Sequence, residues 1–460
     1  MKKLLALTLV GAMTASLVAC GSSSTPATDT AAPADTAATT DAGADAGAAE
    51  ATTGDKTEEL SFAWWGNQTR TENTEAALDA YTALHPGITF DTQAYQWSDY
   101  WTALATSSAG GQLPDIIQQD YAYIDQYVAN DLLVDLTPYI ESGALDCSKV
   151  ADSVMDTGKV GDKVYAICAG VNAPALYYNK TLTDSLGITV PDNMTMTQFA
   201  DLGKQIFEAS GVKTAWGYGP QENFSTYWMR SQGYDSFYSD TAFTFKSADE
   251  YTPFFQYMKD ALDAGWLLGV EVYADIDYTS VEQSPLVYYS SPATQSWCYA
   301  QFSNQMSAIV AAAPEGVEIG ITTWPSDDPK ASNYIKPSQF FAISKDCKDV
   351  DEAVAILNYF TNDVDVNVNC LKAERGIPIS SEVSTAVAPT LDEVQQTVTA
   401  YINDVATPNS TTIFPPLPSK SAEANEVIGD NIDQLMYGKI TPEQAAQNVF
   451  EQGNAILAAQ

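Results

Sequence analysis

From residue 60 onward the apolar positions switch repeatedly between a spacing of two and a spacing of three to four. Leu60-Ser61-Phe62-Ala63-Trp64-Trp65 has the make-up of a strand and closes at Gly66-Asn67. Ala77, Ala80, Tyr81 and Leu84 then recur at helical spacing until Pro86-Gly87 stops the helix. Ile88, Phe90 and Ala94 predict a second strand, and Trp97, Tyr100, Trp101 and Leu104 a second helix ended by Gly110-Gly111. Residues 113–120 read as a short buried strand. Further on, 163–167 and 175–178 read as strands, and 197–210, 248–264 and 350–361 as helices. The last helix is well marked: Thr441 caps it, Pro442 takes the first turn, and Gln444 completes a capping box. Val449, Phe450, Ile456 and Leu457 form its apolar stripe. Strand and helix alternate from the first core residue, which predicts an α/β fold with a parallel sheet and right-handed crossovers. No repeat and no long linker interrupts the chain from 60 to 460. Roughly 400 residues suffice for two cores, so two lobes would arise by the chain crossing between them.

The first sixty residues follow a different pattern. Lys2-Lys3, the apolar run from Leu4 to Val10 and a small-residue exit predict a secretory signal over 1–19. The run is too short to span a bilayer as a helix, and no later segment approaches 18 continuous apolar residues. The exit, Leu17-Val18-Ala19-Cys20-Gly21, resembles a bacterial lipobox, in which the cysteine is lipidated and becomes the first mature residue. Acyl chains contribute about 0.8 kcal/mol per buried CH₂, enough to hold a protein at the membrane while leaving it outside. Residues 21–58 are almost wholly Ala, Thr, Ser, Gly, Pro and acidic residues, a disordered tether with a reach on the order of 35 Å.

With 21 basic and 59 acidic residues, the net charge of −38 argues against a nucleic-acid partner. The single histidine, His85, sits at an expected helix end, so His-rich zinc sites and Ser-His-Asp catalysis are not available. Five cysteines follow Cys20 (Cys147, Cys168, Cys298, Cys347, Cys370). None has CxxC spacing, and an odd number cannot pair completely within the chain. We therefore expect no metal, no cofactor and no redox chemistry.

Several stretches resemble the extracellular solute-binding proteins of bacterial ABC sugar importers, the group that includes maltose-binding protein. Ala63-Trp64-Trp65-Gly66-Asn67-Gln68-Thr69-Arg70 is similar to the first strand and loop of a Trp-Trp-Gly subgroup. Leu113-Pro114-Asp115-Ile116-Ile117 resembles the "PDI" strand. Tyr165-Ala166-Ile167, Asn172 and Ala175-Leu176-Tyr177-Tyr178-Asn179-Lys180 resemble the lobe crossover and its "YNK" signature. Glu374-Arg375-Gly376-Ile377-Pro378 resembles a late "RGIP" element. The resemblance implies a two-lobed periplasmic-binding-protein-like fold (type II), with the ligand cleft between lobes joined by hinge strands. It places lobe 1 at 59–171 and 285–361, and lobe 2 at 172–284 and 362–460, after the signal (1–19) and the lipidated tether (20–58). Residues 284–289 lack the Gly-Lys-Ala-Met type of strand common in the family, so the return crossover is poorly marked. The implied protein is a non-enzymatic monomer on the extracellular face of the cell membrane, handing sugar to permease subunits.

All 9 Trp and 25 Tyr lie beyond residue 60, and sugars need aromatic platforms with fixed polar groups. Trp64 and Trp65 end the first strand, where α/β sheets place ligands, and alternation sends only one of them to the cleft. Asn67 and Arg70 follow on the loop, Trp97 opens the next helix, and Gln119 and Asp120 end the third strand. Asn172 marks the crossover, Trp228, Trp266 and Trp297 are second-lobe or return-strand candidates, and Arg375 lies in the late element. Each Trp reads equally well as core, and Arg70 and Arg375 read more readily as ion-pair partners of the abundant carboxylates than as binders of hydroxyls. Three other readings stay open: the same fold binding a polyamine through Asp115 and Asp120, a tethered capture protein without a transporter, and a secreted glycosidase.

Overall fold

The computed structural model describes residues 57–218, 221–276, 280–418 and 420–459. The signal, Cys20 and nearly all of the expected tether lie outside them. Strand β1 (Glu58–Trp65) pairs in parallel with β2 (Ile88–Tyr95) along its full length, and on its other side with β3 (Ile116–Gln119). Helix α1 (Gln68–Leu84) joins β1 to β2. The Asn67 side chain caps it by accepting from the Arg70 N–H, and His85 closes it. Helix α2 (Trp97–Ala109) leads from β2 back across the sheet to β3. The two crossovers run in opposite directions, so right-handed connections put the helices on opposite faces. The burial pattern agrees. Trp64 packs with Ala77, Leu78 and Tyr81 of α1, whereas its neighbour Trp65 packs with Tyr100 and Leu104 of α2.

The small hairpin of β4 (Lys159–Val160) and β5 (Lys163–Val164) precedes β6 (Ile167–Cys168). The chain then leaves the first sheet through β7 (Val171–Asn172) and enters β8 (Pro174–Asn179). Strands β9 (Cys298–Phe302) and β10 (Ile319–Thr322) pair antiparallel with the two sides of β8 to form a second sheet. The return runs through β11 (Lys336–Pro337), antiparallel to β7, into β12 (Phe340–Ile343). β12 lies between β3 and β6 and is antiparallel to both, so the first sheet is mixed where a parallel one was expected. This is the two-lobed α/β architecture, and β7 with β11 carries the two crossings.

The strand pairing moves two expected lobe boundaries. Residues 298–322, expected in lobe 1, supply both outer strands of the second sheet, so the return comes at Lys336 and not near 285. Residues 367–377 were expected in lobe 2. They pack against α1, and Arg375 bonds to Thr74 and Gln118 of the first lobe. Sequence missed the return because its marker is a two-residue strand. The second lobe's core gathers Phe199, Trp216, Trp297 and Trp324 with the helices Met196–Ser210, Thr252–Asp263, Ser421–Met436 and Pro442–Leu457. The Thr441–Gln444 capping box is formed.

The late Arg-Gly-Ile-Pro segment runs beside β7, with Val171 and Ile377 exchanging backbone hydrogen bonds of 3.0 and 3.2 Å. Gly376 has φ +105°, and a Cβ there would sit 3.0 Å from Val171 N and 3.1 Å from Val171 O. A side chain would therefore strain the backbone at the crossing itself. Gly376→Ala is expected to lower stability by about 2 kcal/mol, read by thermal or denaturant unfolding.

None of the five described cysteines is disulfide-bonded. Burial pushes the Cys168 thiol up to about 12 and the Cys147 thiol up to about 11, so neither is a reactive thiolate at neutral pH.

Candidate ligand cleft

The carboxyl ends of β1, β2 and β3 bring Asn67, Trp97 and Asp120 to one edge of the first sheet, where open α/β sheets bind ligands. Asp120 opens a tight turn. Its carboxylate accepts from the Ala122 N–H at 2.9 Å, and its carbonyl accepts from the Tyr123 N–H at 3.0 Å. That turn lays Tyr123 over Trp101, with ring centroids 4.0 Å apart. Trp101 meets Trp97 edge-on at 5.4 Å, and Trp97 meets the buried Trp65 edge-on at 4.9 Å. The result is an aromatic ladder rooted in the core whose outermost rung, Trp97, is 45% exposed.

Beside this turn a cavity of about 260 Å³ opens between the lobes. Asp120, Tyr121 and Ala122 line it from the first lobe, and Lys336 to Ser338 from the hinge. Tyr334, Phe414 and Leu417 line it from the second-lobe core. Tyr121 donates its hydroxyl to the Phe414 carbonyl at 3.0 Å, tying the two walls together. Phe414 in turn stands edge-on to Tyr334 at 5.2 Å. Aromatic walls with a few polar groups, one carboxylate and one ammonium, suit a ligand with apolar faces and hydroxyl edges.

A second cavity, about 280 Å³, is lined by Arg70, Asn172, Ser303, Ser338, Glu374 and Arg375 among others, and shares only Ser338 with the first. Its two arginines are engaged by the protein. Arg70 forms a 2.8 Å ion pair with Glu374 and donates to the Trp65 carbonyl at 3.0 Å. Arg375 turns inward, donating to Gln118 at 3.0 Å and Thr74 at 2.8 Å, with its guanidinium 5.1 Å from the Phe341 ring centre. Burial, helped by neighbouring Arg70, pushes Arg375 down to about 9.

The other sequence candidates divide by location. Trp64 and Trp297 are fully buried, their indole N–H groups donating to Thr71 at 3.3 Å and Thr214 at 2.8 Å. Both are core, as period-two alternation allows. Gln119 is also fully buried, in the strand pair with β12, and neither of its amide atoms has a hydrogen-bond partner among the described residues. Trp228 and Trp266 line a groove of about 800 Å³ between the helices Met196–Ser210 and Thr252–Asp263. No residue of that groove lines either cavity at the hinge. Asp115 is 2% exposed, and its carboxylate accepts from the Ser61 N–H and hydroxyl and from the Lys348 N–H, so it is engaged by β1 and by the loop after β12.

Sequence reasoning missed Trp101, Tyr121, Tyr123, Tyr334, Lys336 and Phe414. Trp101 stands four residues after Trp97 on α2, a helical neighbour that periodicity had assigned to the core. Tyr334, Lys336 and Phe414 come from distant segments, and only the return crossing through β11 brings them here.

Residues 76–400 match the family described as bacterial extracellular solute-binding protein. The chain belongs to that family. A family 1 extracellular solute-binding protein from Alicyclobacillus acidocaldarius superposes with a TM-score of 0.79 at 25% identity, over 88% of this chain and 99% of the other. A periplasmic oligogalacturonide-binding protein from Yersinia enterocolitica gives a TM-score of 0.70 at 21% identity, over 87% of this chain and 99% of the other. An ABC substrate-binding protein from Listeria monocytogenes, in complex with cycloalternan, gives 0.57 at 17% identity over 87% and 99%. These likenesses share the two-lobed fold, and the family is extracellular.

Proposed function

We propose that this solute-binding protein captures a sugar or short oligosaccharide outside the cell and delivers it to the membrane permease of an ABC importer. Lipid on Cys20 and the acidic tether hold it at the extracellular face. The observation that carries the reading is the aromatic ladder from Trp65 to exposed Trp97, set beside an interlobe cavity with Asp120 and Lys336. Structural neighbours that bind oligogalacturonides and cycloalternan agree with a saccharide cargo.

In mechanism, the open lobes admit the sugar, and indole and tyrosine rings stack on its C–H faces. Contacts from both walls then favour the closed arrangement by their differential strength there. Flexing at β7 and β11 moves the second-lobe wall toward the first, and closure presents a new surface to the permease. The protein itself makes and breaks no bond.

A thermal-shift screen of the full-length protein against neutral and acidic oligosaccharides and polyamines tests this. A ligand present at about 100 Kd adds roughly 2.7 kcal/mol of stability, so a saccharide shift supports the reading. A shift with polyamines alone overturns the sugar assignment and leaves the fold assignment standing.

A further inference from the structure

We infer that the saccharide is acidic and that the Lys336 ammonium receives its carboxylate, which rests on the proposed sugar-binding role and deepens it. The chain carries 59 acidic and 21 basic residues, so an available cation on its surface is scarce. Several described lysines elsewhere are drawn into surface pairs, such as Lys180 with Asp184 at 2.5 Å and Lys163 with Asp135 at 2.8 Å, whereas Lys336 is set apart by its place on the wall of a cavity. Lys336 lines the interlobe cavity and forms no ion pair among the described residues. Its ammonium makes a cation–π contact with the Phe302 ring, 5.2 Å from the ring centre. Protein packed around the side chain pushes its pKa down, and Asp120, lining the same cavity, works the other way. Asp120 lies beyond ion-pair distance, and its carboxylate is turned to the Ala122 N–H.

A second cation stands behind the wall. Arg230 is 5% exposed, and among the described residues its guanidinium donates to neutral groups: the Ala331, Asp235 and Thr412 carbonyls and the Thr411 hydroxyl. It too has no ion pair among the described residues, and its charge is felt by Tyr121 and Tyr334, both of which line the cavity. Lys336 on the wall and Arg230 behind it thus bring two cations to this concavity, facing the carboxylate of Asp120 on the wall and that of Asp125 near Tyr121. An ammonium without an ion pair at such a place favours a carboxylate, which accepts charge-assisted hydrogen bonds from it. A uronate supplies the carboxylate together with hydroxyls that donate to Asp120 and flat faces for the aromatic rings. A neutral sugar leaves Lys336 without its counter-charge, and a polyamine meets repulsion.

Calorimetric titration of the full-length protein with trigalacturonate and with its neutral counterpart galactotriose decides the matter. We expect the acidic trisaccharide to bind at least about tenfold tighter, with affinity falling as salt rises. Lys336→Met is expected to remove that preference while leaving the melting temperature unchanged, because the residue keeps its access to solvent. Lys336→Arg, which keeps the charge, restores it and separates a charge effect from a packing effect. Equal binding of the two sugars, or a preference that survives Lys336→Met, overturns the inference. If neither binds while another neutral saccharide gives a thermal shift, the acidic cargo is excluded and the sugar-binding role stands. If no saccharide of any kind shifts the protein, both fall.

Discussion

Replacing Asp115 by alanine is expected to lower the unfolding free energy by about 3 kcal/mol, because it leaves buried donors without an acceptor. The carboxylate is 2% exposed and accepts from Ser61 N at 2.7 Å, Ser61 Oγ at 2.6 Å and Lys348 N at 2.9 Å. Those contacts pin β1 to β3 and to the loop after β12, three segments far apart in sequence. Bonds to a charged acceptor contribute about 1.5–3 kcal/mol each, and part of that returns as the loop relaxes toward water. Asp115→Asn keeps one acceptor oxygen and should lose about half as much. Denaturant unfolding of the two variants checks the order. Equal stability of Asp115→Ala and the parent would mean that the loop does not depend on this carboxylate.

The second large effect concerns binding. Trp97→Ala should weaken the affinity for the saccharide found in the screen by about thirtyfold, about 2 kcal/mol. Its stability should barely change, since Trp97 is 45% exposed. Trp65→Ala should do the opposite in proportion. Trp65 is 8% exposed and packs against Trp97, Tyr100 and Trp101, so its loss undermines the ladder and destabilises the first lobe. The contrast is informative because both residues were candidates from sequence alone, and only the pleat and the neighbouring helix decide which one meets solvent.

That contrast also marks how far the sequence could be read. Spacing located β1 to β3, α1, α2 and the capped last helix, since each of those is encoded by contiguous residues. It also placed Trp97 and Asp120 at one edge of the sheet, because strand ends and helix starts in an α/β sheet fall there. Trp64, Trp65 and Trp297 could not be sorted, as an indole in a strand looks the same whether it faces a core or a cleft. Lys336 was invisible for another reason. A lysine before a proline carries no periodic signal, and its place in the cavity exists only because β11 crosses back beside β7. The same hidden crossing displaced the expected lobe boundary near 285. Arg70 and Arg375 were legible as cations. Their partners, Glu374 for one and Gln118 with Thr74 for the other, are set by tertiary contacts between segments far apart in the chain.

A concavity larger than either hinge cavity lies elsewhere, in the groove lined by Trp228 and Trp266, so the position of the bound ligand is the most direct test. A crystal structure of the saccharide complex should show the ligand between Trp97, Asp120 and Lys336 on one side and Tyr334 and Phe414 on the other, with the lobes drawn together. A ligand seated between the helices Met196–Ser210 and Thr252–Asp263, with the interlobe cavity open and empty, would contradict the account.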